Sequence, residues 1–419
     1  MNSRKIVILG GNPETGAIVE VANKMGLQTI VIDPFPQSPA KKHASASYDL
    51  DVTKTEEVNK IIKKENVHAI LVGVADPLVP YYVKICEDNG FPCYANNNII
   101  KYLSSKKRFS DFCLINDINI IPSYSVTAKA DGLEYPVIVK PTDSGAGVGI
   151  SVCHSSEELN PAIEKALSNS IKKEFVIEKF MECDDMFAYY TFIDGKAYLS
   201  ALADRNKTKK QGNFSSVCIS ADYPSKHTQR FVEETHPKLL KMFNELGILN
   251  GVLMIQFFVD EKGFYAYDPG FRLQGEAPHI YLKHFNKFDQ REMLINYALT
   301  GSMYESHEFA EKNNYLFNEN LAVTLWVLLK SGKIAEIHGL EEVKSHPDVI
   351  TVLQRFHVGD FVTEAMLGTE RQVFCRIYIE GKTREQIAKT VKFIRNKLKI
   401  SDKSRENMIL DSWDEIYEK

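Results

Sequence analysis

The chain has 419 residues, 44% of them apolar and 25% charged, with a net charge of −4. These values predict a globular protein of two or three domains, and they give no electrostatic reason to expect nucleic acid or an anionic membrane as a partner. Seven scattered cysteines without a C-x-x-C pair read as reduced thiols in a cytoplasm, no H-E-x-x-H motif points to zinc, and no apolar run approaches the roughly 20 residues that span a bilayer.

The first segment, MNSRKIVILGG, enters a strand at Lys5–Leu9 without a signal-peptide h-region, and Gly10 and Gly11 form the turn after it. Ile18, Val19, Ala22 and Met25 recur at helical spacing, and a second strand runs from Thr29 to Ile32 and ends at Asp33. A second cycle places Val58, Ile61 and Ile62 on a helix and Ala69 to Val72 on a strand; a third helix follows Asp76 and Pro77, before Pro92 to Tyr94. This alternation predicts an α/β unit with a parallel sheet. Dinucleotide binding is disfavoured, because the glycines fall at 10, 11 and 16 and do not give G-x-G-x-x-G.

Ser104 to Pro122 reads as a short helix opening on Lys106, Lys107 and Arg108. Tyr135 to Gly149, YPVIVKPTDSGAGVG, is a β-branched strand ending in Lys140 and followed by Gly145, Gly147 and Gly149. Glycines let backbone N–H groups turn toward an anion, and a lysine beside them adds a mobile charge, which suits a polyphosphate. The lysine precedes the glycines, so this is not a P-loop. A hairpin with a flexible tip is the plainer alternative. Phe175 to Asp185, FVIEKFMECDD, reads as a buried strand leaving through an acidic segment, and ADRNKTKKQG as a basic loop carrying Arg205, Lys207, Lys209 and Lys210. GVLMIQFFVD (251–260) and GFYAYDPG (263–270) are two further strands, with Arg272 just beyond. The last third reads as a smaller α+β unit. It holds a hairpin over Leu321 to Gly339 turning at Ser331-Gly332, a strand in RQVFCRIYIE, and a helix opened by a Thr383/Gln386 capping box with Ile387, Val391, Ile394 and Leu398 on one face.

In this order the segments around Lys107, Lys140, Glu178, Gln256 and Asp268–Arg272 resemble the ATP-grasp superfamily, within it the biotin carboxylase, carbamoyl-phosphate synthetase and purine-biosynthesis ligase branch. The resemblance covers most of the chain and implies three domains: an N-terminal α/β domain (1–103), a two-lobed ATP-grasp domain (104–305) and a C-terminal α+β domain (306–419). It implies that Lys107 and Lys140 contact the nucleotide phosphates and that Gly145, Gly147 and Gly149 belong to a loop closing over them. Glu178, Phe180 and Met181 would read adenine, Asp185 the ribose, and Arg205 a phosphate. The plainer readings are a solvated basic patch for Lys107 and a strand-end surface carboxylate for Glu178.

At the metal position the chain departs from the pattern. Where relatives carry two glutamates and an asparagine ahead of an arginine, it has Gln256, Asp268 and Gly270, with Arg272 kept. Mg²⁺ wants hard oxygen donors, so Asp268 is the expected ligand and Gln256 a weaker one, with Glu276 or water available to help. Gln274, Glu276 and His279 are candidates to position or deprotonate a nucleophile, although His279 reads equally well as a helix cap. The resulting expectation is an ATP- and Mg²⁺-dependent ligase. It would convert a carboxylate to an acyl phosphate and pass it to an amine, with Lys140 and Arg272 as the catalytic cations, small molecules as substrates and a possible homodimer. A bicarbonate-using carboxylase or carbamoyl-phosphate-forming enzyme, and a nucleotide-binding protein with little catalysis, are the alternatives.

Overall fold

The structure is a computed structural model that describes residues 4–125, 132–142, 149–208, 217–410, 413 and 417. The N-terminal unit is a four-stranded parallel sheet in the order 46–49, 28–33, 5–9, 69–72. Its central strand, Lys5–Leu9, is apolar from Ile6 onward, as a strand covered on both faces must be. The helices Pro13–Lys24, Thr55–Glu65 and Val79–Asn89 lie where the apolar spacing places them. The first begins at Asn12, whose side chain accepts from the Thr15 N–H.

A nine-stranded sheet runs through the rest of the chain. Its order is Val349–Gln354, Val373–Gly381, Leu321–Leu328, Cys218–Tyr223, Lys196–Lys207, Asp184–Ile193, Gly251–Asp260, Gly263–Gly270 and Asn119–Ile120. All neighbours are antiparallel except the last pair. The sheet therefore continues across residues 305–306 without a break. A separate antiparallel sheet, ordered 123–124, 175–179, 137–141, 151–153, is covered by the helix Leu159–Ser168. It has its own apolar core of Leu133, Val137, Val139, Cys153, Leu159, Ala162, Ala166 and Ile177.

Three expectations are corrected. The hairpin over 321–339 does not form: both edges of Leu321–Leu328 are taken by Cys218–Tyr223 and Val373–Gly381, so the chain leaves the sheet and Gly332–Lys333 pairs with Phe361–Val362 instead. Arg205 and Lys207 stand on a strand, Lys196–Lys207, rather than in a loop; Lys209 and Lys210 lie outside the described residues. The segment 175–185 is two strands split at 180–183, and in the first only Ile177 is buried. The Thr383 cap does form, accepting from the Gln386 N–H, while Gln386 Oε1 accepts from the Lys382 N–H.

One network ties the N-terminal helix to the far end of the large sheet. Glu14 pairs with Arg355 and, at 2.9 Å, with Arg376, whose guanidinium also reaches Glu370 at 3.0 Å and lies over the Trp326 ring. Burial acts to raise the Glu14 carboxyl, but Arg355 and Arg376 outweigh it and hold it below its ordinary value. Among the described residues no helix is long and apolar enough to cross a membrane.

Candidate active site

The small sheet joins the large one through two short segments, residues 121–122 and 180–183. On the small sheet, Lys140 is the penultimate residue of Val137–Pro141, and Glu178 stands on the neighbouring strand opposite Ile138. Lys140 and Ile138 share a face, so the two charges meet: Lys140 Nζ lies 2.5 Å from Glu178 Oε2, with the side chains a quarter and a sixth exposed. Beyond Thr142 the described chain resumes at Gly149. There φ is +78°, and a Cβ would sit 2.7 Å from the Pro141 ring and 2.8 Å from Asn169, so only glycine fits. Gly145 and Gly147 lie outside the described residues.

In the segment between the sheets, Phe180 and Met181 are half-buried, and the Phe180 N–H is already donated to Pro136 O at 3.0 Å. Asp185, just inside the large sheet, is buried and fully engaged. Lys207 Nζ lies 2.7 Å and Arg205 Nη1 3.3 Å from its Oδ2, and the Tyr267 hydroxyl lies 3.0 Å from its Oδ1.

The same tyrosine reaches Gln256. Its hydroxyl is 2.6 Å from Gln256 Oε1, which is also 3.4 Å from Arg205 Nη1. The cause is a β-bulge. Gln256 pairs with Asp268 and Phe257 with Ala266, leaving Tyr267 as the extra residue and turning it toward the side that Gln256 and Asp268 share. Burial first, then the Asp185 carboxylate, push the Tyr267 phenol well above its ordinary value, so it remains a donor. Burial opposes the charge on Arg205, but its surroundings, with the Asp185 carboxylate among them, outweigh it and hold the guanidinium protonated. Gln256 Oε1 is thus occupied by donors, whereas the Asp268 carboxylate is 39% exposed and free to take a ligand on its open side. Its neighbour is Lys106, with Nζ 3.6 Å from Oδ1; Lys107 points into solvent on the first turn of the helix Lys106–Ile115.

Past Gly270, the Arg272 guanidinium donates to Leu273 O and Gln274 Oε1, both at 2.9 Å, and pairs with Asp76 from the N-terminal unit. Gln274 in turn donates to Gly270 O. His279 is buried, its Nδ1 has no partner among the described residues, and burial, with Arg291 adding to it, pushes the ring down to about 3. It stays neutral at physiological pH and is not poised as a base.

The structure thus brings Asp185, Arg205 and Gln256 together on the large sheet with Asp268 opposite Gln256, sets Arg272 just beyond the end of that strand against Asp76, and puts Lys140 with Glu178 on the small sheet. It leaves Lys107 apart. Sequence reading missed Tyr267, Lys106 and Asp76. In strict alternation Tyr267 faces away from Asp268, and only the bulge reverses it.

A family described as "D-ala D-ala ligase C-terminus" matches residues 116–266, a stretch that takes in Lys140 through Gln256 and stops just short of Asp268. A formate-dependent phosphoribosylglycinamide formyltransferase of Wolinella succinogenes is 26% identical over 204 residues, covering 46% of this chain and 52% of that one. Its counterpart in Bacillus subtilis is 24% identical over 274 residues, covering 63% and 69%. The chain thus spans about half to two thirds of the length of these relatives. Among solved structures, an L-amino acid ligase from Bacillus licheniformis superposes with a TM-score of 0.77 at 18% identity, covering 96% of this chain and all of that one.

Proposed function

We propose that the chain is an ATP-grasp enzyme, an ATP-dependent ligase that activates a carboxylate as an acyl phosphate and joins it to an amine, releasing ADP and phosphate. The observation that carries this reading is the grouping of Arg205, Gln256 and Tyr267 on one face of the large sheet, with the open carboxylate of Asp268 opposite Gln256 in the strand pairing and Arg272 four residues further on. Such a set can align and neutralise a polyphosphate. A relative named for formate-dependent formyl transfer and a structural neighbour named an L-amino acid ligase support a carboxylic acid as one substrate.

A free carboxylate resists an amine because its leaving group is oxide. Transfer of the terminal phosphoryl group makes phosphate the leaving group, and the protein's part is alignment and charge. In this proposal Lys140 and the loop of Gly145, Gly147 and Gly149 hold the phosphates, and Lys107, exposed on the first turn of its helix, adds only a screened charge. Glu178, Phe180, Met181 and Asp185 hold the adenosine, and Arg205 and Arg272 face the transferred charge. To serve the nucleotide, Glu178 must release Lys140, and Asp185 must exchange part of its present shell. The exposed oxygens of Asp268 fit Mg²⁺, with Gln256 second because its oxygen already accepts from Tyr267; the ion supplies positive charge to the phosphates. The small sheet's separate core lets it move as a body to shield the acyl phosphate from water.

The division at 103/104 and 305/306 is kept as one of function. A cytoplasmic location, supported by seven scattered cysteines without a C-x-x-C pair, and a homodimer belong to the same proposal. The test is incubation with ATP, Mg²⁺ and pools of carboxylic acids and amines. ADP and mass-matched amides support it. ADP release that requires bicarbonate would favour the carboxylase alternative, and nucleotide binding without turnover the non-catalytic one.

A further inference from the structure

Residue 270 has no side chain, yet the space beside it is filled. A Cβ built there would lie 3.4 Å from Asp76 Oδ1, 3.4 Å from Gln274 Oε1 and 3.8 Å from Arg272 Cζ. These are ordinary van der Waals separations, so the Asp76 carboxylate, Gln274 and Arg272 stand directly beside the glycine. Asp76 arrives from a different unit, on the turn after the strand Ala69–Val72, and that turn is braced: Asn12 Nδ2 donates to Val74 O at 2.6 Å, and the Val74 N–H donates to Thr15 Oγ1 at 3.1 Å. The carboxylate is thus presented to Arg272 by a fixed loop. Arg272 is only 13% exposed against 52% for Asp76, and its other partners, Leu273 O and Gln274 Oε1, are neutral and come from its own segment. Among the described residues Asp76 is the one anion paired with it.

We propose that Asp76 is a positioning residue for Arg272: reaching in from the N-terminal unit beside Gly270, it holds the guanidinium before nucleotide binds and yields it to the terminal phosphoryl group. This rests on the reading of the site as an ATP site with Arg272 at the transferred phosphoryl. A nucleotide ending at the β-phosphate leaves the pair intact, whereas one carrying a γ-phosphoryl group displaces Asp76. The carboxylate therefore sets how strongly the site prefers ATP over ADP.

The test is calorimetric titration of the whole protein with ADP and with the non-hydrolysable analogue AMPPNP, both with Mg²⁺, for wild type, Asp76→Asn and Asp76→Glu. Asp76→Asn should tighten AMPPNP by roughly three- to fivefold, the range of a partly exposed ion pair, while ADP is unchanged. The difference from wild type should shrink as salt is raised. Asp76→Glu, which keeps the charge, should keep the wild-type ratio. Equal shifts for both nucleotides, no shift, weaker AMPPNP binding, or a glutamate variant that behaves like the asparagine one would each overturn the proposal while leaving the ATP-site reading standing. Wild type that binds neither nucleotide would sink that reading, and this inference with it.

Discussion

Removing the Lys140 amine is the sharpest perturbation of the nucleotide reading, because the structure shows what the lysine does before nucleotide arrives. Its Nζ lies 2.5 Å from Glu178, both side chains partly exposed. A phosphate contact by a lysine is a charge-assisted bond worth about 1.5–3 kcal/mol. Binding must first break the pair with Glu178, which at this exposure is worth up to about 1 kcal/mol. With the full cost of that pair taken off, the net contribution is about 0.5–2 kcal/mol, so Lys140→Ala should weaken AMPPNP binding roughly 2- to 30-fold. Lys107→Ala, at an exposed position with its side chain in solvent, should change it by less than about threefold, the scale of a screened surface charge. Calorimetric titration of both variants, with melting temperatures recorded alongside, measures the contrast. Equal affinities for the two variants and wild type would show that Lys140 does not touch the phosphates.

Three other outcomes follow from the same structure. Asp268→Asn should raise the Mg²⁺ concentration for half-maximal ADP release and nearly abolish turnover, since the open carboxylate is the expected anchor of the ion; wild-type activity at low millimolar Mg²⁺ would show the metal site is misplaced. Arg376→Met leaves Glu14 buried with Arg355 alone and should destabilise the fold by about 3–5 kcal/mol, read by denaturant unfolding; an unchanged midpoint would contradict the role given to that network. Burial, opposed by the Tyr417 hydrogen bond and aided by Asp204, pushes the Asp222 carboxyl from 3.8 up to about 6. Its folded form favours the proton, so its stabilisation is complete below 3.8 and lost as pH rises through 6. Asp222→Asn cannot ionise and should melt higher than wild type at pH 8, by at most the ~3 kcal/mol of a two-unit shift; a lower or equal melting temperature would contradict this.

Three of the four strands of the N-terminal sheet were legible because each is a short apolar run, as in Ile6–Leu9 followed by the helical spacing of Ile18, Val19 and Ala22, whereas the edge strand Ala46–Asp49 is polar and was missed. The Lys140 strand and the 251–260 and 263–270 pair were legible for the same reason. What local pattern cannot show is which strand edges are already taken. Ser331-Gly332 looks like a hairpin turn, but Leu321–Leu328 has no free edge to receive it. Charge runs mislead in a similar way: the basic stretch after Ala203 reads as solvated, although Arg205 and Lys207 lie on a strand and neutralise the buried Asp185. The bulge that turns Tyr267 onto Gln256 depends on a register between two strands, and the Asp76–Arg272 pair spans 196 positions. Neither leaves a trace in spacing.

The central claim is that a substrate carboxylate takes the terminal phosphoryl group of ATP. The most direct measurement supplies formate and a pool of the protein amino acids, all labelled with ¹⁸O in the carboxylate, together with ATP, Mg²⁺ and hydroxylamine as a trapping amine. An acyl-phosphate route transfers one labelled oxygen to the released phosphate, so ADP, ¹⁸O-phosphate and a hydroxamate should appear together. Label in AMP with release of pyrophosphate, or ADP accompanied by unlabelled phosphate, would contradict the account.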